Sequence, residues 1–138
     1  MTRVFFRRLL AAAILPALLA ACASNQPAAG APAVEIPMDA TEFGFTPAPV
    51  TLAAGTPYRF VVRNTGAVAH EWVVTPQNGG AHAHDAHADT LGAIDSAELG
   101  PGASAARELT FAAPGSYEVA CHLPGHYEAG MRLTLAVQ

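Results

Sequence analysis

The sequence predicts an all-β domain, an antiparallel sandwich of about seven strands, and three observations lead to it. Short apolar segments alternate with polar residues at a period of two, and Gly or Pro punctuates the gaps between them. From Val34 onward no stretch repeats its apolar residues at the spacing of an amphipathic helix.

The elements follow in chain order. Arg3, Arg7 and Arg8 precede an apolar run from Leu9 to Ala21 that only Pro16 interrupts. A basic start followed by about a dozen apolar residues reads as a secretory signal over residues 1–21, too short for a membrane span of roughly 20 residues. The run ends in Leu19-Ala20-Ala21-Cys22, which resembles a bacterial lipobox, and cleavage there frees Cys22 for lipidation. The competing reading is ordinary cleavage at the small residues Ala21-Cys22-Ala23, with Cys22 lost. Ala23 supplies no Asp-type inner-membrane retention signal, which favours the outer membrane in a Gram-negative host. Residues 22–33, rich in Ala, Pro and Gly, then form a flexible linker that reaches at most about 40 Å.

Residues 34–138 are read as the folded domain. Val34-Glu35-Ile36 and Pro49-Val50-Thr51-Leu52 are strand-like, with Phe43, Phe45 and Pro47 between them. In Tyr58–Arg63, alternation puts Tyr58, Phe60 and Val62 on one face and both Arg residues on the other. Asn64-Thr65-Gly66 is a turn, and Glu71–Val74 a further strand. Residues 76–101 read as a polar insertion containing His82, His84 and His87, long enough to be functional. Arg107–Phe111 alternates again, and Pro114-Gly115 turns the chain. Ser116–Cys121 places Tyr117, Val119 and Cys121 together, and Arg132–Val137 does the same for Leu133, Leu135 and Val137.

Composition narrows the function. Of 138 residues, 51% are hydrophobic and 13% charged, with a formal net charge of −4. All seven basic residues are Arg against eleven acidic ones, so a polybasic nucleic-acid surface is excluded. Loss of residues 1–21 removes three Arg and no acid, which takes the charge from −4 to −7. Two Cys exclude a disulfide-dense scaffold and the paired-Cys zinc motifs. With Cys22 lipidated, Cys121 has no disulfide partner in an oxidising compartment, and a free thiol there is open to oxidation unless something occupies it.

The occupant is indicated by the residues around that thiol. Cys121, His126 and Met131 form a Cys-x4-His-x4-Met run between two predicted strands, and His70 opens an earlier one. A lone Met or Cys is ordinarily core. Here type, order and spacing agree: one thiolate, two imidazoles and a thioether are the ligands of a blue-copper centre. Gly125 and Gly130 sit beside His126 and Met131, where a tight loop needs backbone freedom.

On these residues, together with Phe43 to Pro47, Gly55 and Asn64-Thr65-Gly66, the domain resembles the cupredoxins, the plastocyanin–azurin family. The resemblance implies a Greek-key sandwich of about seven to eight strands with copper at one end. It carries over His70, Cys121, His126 and Met131 as the four ligands of one Cu(I)/Cu(II) ion. It also implies that His126 exposes its ring edge as the route for electrons. Two departures stand out. Family members commonly have Asn after the first ligand His, where this chain has Glu71. His122 follows Cys121, as in multicopper oxidases, but the many further His of their cluster are missing. Strand alternation turns His122 away from Cys121, to the surface or to a role in supporting the ligands. A binuclear site needs a second Cys in this loop and is excluded. Trp72 shares the inward face of His70 and reads as core.

The leading functional expectation is a lipid-anchored envelope protein, not an enzyme, that carries single electrons. Its partners would be redox proteins such as a c-type cytochrome or an oxidase or reductase, and the chain itself a monomer. The alternative is periplasmic copper buffering, delivery or tolerance, with His82, His84 and His87 as a second metal site.

Overall fold

The computed structural model describes residues 32–47, 50–77 and 89–138. The signal segment, Cys22, the linker as far as residue 31, and His82, His84 and His87 lie outside the described residues.

Two sheets face each other. One has the order β2-β1-β4-β7, and the other β3-β9-β8-β5-β6. The first holds β1 (Val34–Thr41), β2 (Gly44–Thr46), β4 (Pro57–Asn64) and β7 (Ser104–Thr110). The second holds β3 (Val50–Leu52), β5 (Trp72–Pro76), β6 (Gly92–Ile94), β8 (Gly115–Ala120) and β9 (Arg132–Val137). The expected sandwich is present, with nine strands among the described residues.

Alternation produces the core. Tyr58, Phe60 and Val62 of β4 point inward and meet Leu133, Leu135 and Val137 of β9, with Trp72, Phe111 and Val119 filling the centre. Phe60 is the aromatic hub, its ring centroid 5.1 Å from Trp72 and 6.4 Å from Phe111. Trp72 is core, as its shared face with His70 predicts.

The sheets are mixed rather than purely antiparallel. β1 runs parallel to β4, and β3 parallel to β9. The chain changes sheets at β2–β3, β3–β4, β4–β5, β6–β7 and β7–β8, and such crossovers deliver neighbours in the same direction, which a hairpin cannot do.

The stretch read as a polar insertion is structured over its second half. β6 pairs with β5, Ile94 and Leu99 are fully buried, and Asp95 caps the turn between them by accepting the N–H groups of Ala97 (2.9 Å) and Glu98 (3.1 Å). Arg107 of β7 fixes this segment from the other sheet. Its Nε donates to the Ala93 carbonyl at 2.7 Å, and its guanidinium pairs with Glu98.

Candidate metal centre

His70 is placed by Asn64, the last residue of β4. Asn64 is fully buried, which an amide tolerates only when its polar atoms are partnered. Its amide nitrogen donates to the carbonyls of Val68 (2.7 Å) and Leu99 (2.9 Å), and its Oδ1 accepts the Gly66 N–H at 2.8 Å. The Leu99 carbonyl also accepts the His70 N–H at 3.1 Å. The residues read as a turn and as an insertion thus jointly fix the approach to His70.

Cys121, His126 and Met131 come from the β8–β9 connection. The ladder ends at Ala120 opposite Arg132, so Cys121 and Met131 meet just beyond it. There the Cys121 N–H donates to the Met131 carbonyl at 3.1 Å, and the Met131 N–H donates to the His126 carbonyl at 3.0 Å. Two left-handed glycines, Gly125 (φ 83°) and Gly130 (φ 100°), let the loop coil tightly enough for this.

Three donor atoms converge. His70 Nδ1 is 3.3 Å from His126 Nδ1, Cys121 Sγ is 3.3 Å from His126 Nδ1, and all three donors lie within 4.8 Å of one another. With metal–nitrogen bonds of about 2.0–2.1 Å, two nitrogens at this separation fit one shared ion. Met131 is fully buried and tied through its backbone to both Cys121 and His126. His70 and Cys121 are also fully buried, and His126 is half-buried.

Burial opposes charge on both His70 and Cys121. Burial pushes the His70 imidazole below its ordinary value, neighbouring His126 adds to this, and Glu42 opposes it. Burial likewise pushes the Cys121 thiol up, against the N–H groups of Glu71 and Leu123 that favour the thiolate. A soft cation offsets both costs, because it binds the imidazole lone pairs and replaces the thiol proton.

Behind the donors lies a polar brace. The Glu71 N–H points to Cys121 Sγ at 3.4 Å, and the Glu71 carboxylate accepts the His122 N–H at 2.6 Å. His122 Nδ1 lies 3.4 Å from the same carboxylate oxygen, and the His122 ring stacks on Tyr127 at 5.5 Å and 14°. Arg132 covers Tyr127 at 4.9 Å, while the Tyr127 hydroxyl donates to Glu118 at 3.1 Å. His122 therefore supports the loop. Sequence reasoning missed the burial of Asn64, the Leu99 carbonyl and the Tyr127 stack. Only the polar Asn64 at an inward position of β4 offered a signal.

Comparison with known proteins gives a consistent answer. A family model described as a cupredoxin-like domain matches residues 11–134. The copper-resistant cuproprotein CopI of Rubrivivax gelatinosus is 40% identical over 95 residues, covering 63% of this chain and 55% of that protein. The chain thus spans about half the length of that relative. Auracyanin B superposes with a TM-score of 0.65 at 28% identity, over 78% of this chain and 91% of that one. Auracyanin A, a "blue" copper protein from Chloroflexus aurantiacus, superposes with a TM-score of 0.61 at 23% identity, over 76% and 98%.

Proposed function

The chain belongs to the cupredoxin-like family, and from that premise we propose that it is a mononuclear blue copper protein carrying single electrons in the bacterial cell envelope. Its cofactor is copper, one ion per chain, and copper supplies one-electron exchange between Cu(I) and Cu(II). The observation that carries the reading is the convergence of His70, Cys121 and His126, the only such His/Cys/acid group among the described residues.

The residues divide the work. His70 and Cys121 would hold the ion from the buried side, and Met131 would add a weak thioether donor. The Glu71 N–H steadies the sulfur, and His126 links the buried centre to the surface. A largely buried donor set that suits both oxidation states would keep rearrangement on electron exchange small. Four protein ligands would leave the ion no open position for a substrate, and we assign no reaction of its own to the chain.

The supporting frame is an exported domain, with residues 1–21 as signal, Cys22 as lipid anchor, the outer membrane as its site and residues 22–33 as tether. The domain acts as a monomer with redox partners such as a c-type cytochrome or an oxidase or reductase.

The likeness to a copper-resistance protein favours a second reading, copper buffering, delivery or tolerance. In that reading His82, His84 and His87 bind further copper. One experiment separates the two: replace these three histidines with Ala, then measure copper stoichiometry, reversible redox cycling and cellular copper tolerance. A carrier keeps one copper and full cycling. A handling protein loses copper equivalents and tolerance.

A further inference from the structure

Phe43 sits where an aromatic side chain is costly. It is the second central residue of the β1–β2 hairpin, in which Thr41 pairs with Gly44, and its φ is +61°. That left-handed region suits Gly or Asn, and a bulky residue there is a genuine outlier. The ring does not repay the cost by entering the core, because Phe43 is 47% exposed. It instead meets the His126 ring edge-on, centroids 5.3 Å apart at 90°.

The hairpin is also clamped onto the loop that leads to His70. The Glu42 carboxylate accepts the Ala67 N–H. Gly66 leaves room for it, since a Cβ there would stand 2.6 Å from Glu42 Oε1. The turn is thus braced against one proposed ligand loop while its aromatic tip presses on the other. Strain maintained at such a point is a pointer to function.

Exposure shows which function. Of the four proposed ligands, His70, Cys121 and Met131 are fully buried, and only His126 is partly open to solvent. An ion or a competing chelator therefore passes the His126 edge, and His126 must swing aside for exchange. We propose that Phe43 is a positioning residue that latches His126 and sets the rate at which the site exchanges copper. This rests on the proposed ligation by His126.

The test is release from the Cu(I)-loaded chain into excess of a colour-forming Cu(I) chelator, followed by rapid mixing, with the unfolding midpoint of the copper-free chain measured alongside. Phe43→Ala and Phe43→Gly should release copper about three- to tenfold faster, the loss of one aromatic edge contact, while Phe43→Tyr stays within about twofold of the parent. Phe43→Gly should also unfold at a higher denaturant concentration than Phe43→Ala, because glycine adopts the left-handed turn freely. Faster release from a variant with a relieved backbone separates a latch from general loosening. Release at the parental rate from both Ala and Gly variants would overturn the assignment of Phe43. So would acceleration only in proportion to lost stability. A parent chain that takes up no copper would instead overturn the ligand assignment itself.

Discussion

Glu71 and His122, each directly following a proposed ligand, are bonded to each other: the Glu71 carboxylate accepts the His122 N–H at 2.6 Å. With the Glu71 N–H on Cys121 Sγ at 3.4 Å, the contact locks the start of β5 to the end of β8 at two points. An acceptor is what this position needs, and Glu meets that need where the family commonly has Asn. A carboxylate also brings a charge close to the thiolate.

Substituting Glu71 should separate the two properties. Glu71→Ala leaves the His122 N–H without its partner and should cost about 1–3 kcal/mol of stability in denaturant unfolding of the copper-free chain. Glu71→Gln keeps an acceptor and should recover most of it. Equal losses in both variants would show that the charge, and not the hydrogen bond, stabilises the brace.

Asn64→Ala should be among the most damaging polar substitutions in the domain. It removes two donated bonds and one accepted bond at a fully buried position, including the bond to the carbonyl that also holds His70. The expected loss is about 3 kcal/mol, visible as a lowered urea midpoint, together with weaker copper retention. A midpoint within experimental error of the parent would refute the role.

Met131 is both fully buried and a proposed ligand, and Met131→Leu tells packing from ligation. The near-isosteric change should cost less than about 1.5 kcal/mol. Loss of the thioether should raise the copper reduction potential, because Cu(II) relies on the extra donor more than Cu(I) does. An unchanged potential would leave Met131 as core alone.

Cys121→Ser should abolish the intense visible thiolate-to-Cu(II) charge-transfer band while the copper-free fold persists, as absorbance and far-ultraviolet circular dichroism would show. A Cu(II) protein that is colourless before the substitution would sink the blue-copper assignment.

The copper-free chain should be most stable at moderate pH. His70 is held below its ordinary value of 6.5, so the unfolded chain takes up the proton first, and stability falls as pH drops below about 6.5. Cys121 is held above its ordinary value of 9.0, so the unfolded chain ionises first, and stability falls again above about 9.0. Copper loading should abolish the alkaline limb, since a metal-bound Cys121 holds no proton to lose, and should steepen the acid limb, since the bound donors must take up protons when the chain unfolds and releases the ion. Denaturant midpoints across this pH range with and without copper provide the check.

Much of the domain was legible because its signals are local. The inward faces of β4 and β9 follow directly from alternation. The Cys121–Met131 run needs only one strand-to-strand turn to bring its members together. β6, inside the stretch read as a polar insertion, gives no sequence signal because it is three residues long, and a single apolar Ile94 among small and polar residues carries no period. The parallel pairing of β1 with β4 was equally hidden, since strand direction depends on where the connections cross.

By itself, the sequence determined the all-β sandwich, the soft donor set and the inward placement of Trp72, all of which are encoded in contiguous residues and their spacing. Only the tertiary structure decided that His70 meets His126 from 56 residues away, that Asn64 reaches Leu99 across 35, and that Glu71 braces Cys121 across 50. It also decided that Phe43 leaves the core to cover His126. These contacts join separate loops at one end of the sandwich, and their partners are selected by how the two sheets pack, which no local period records.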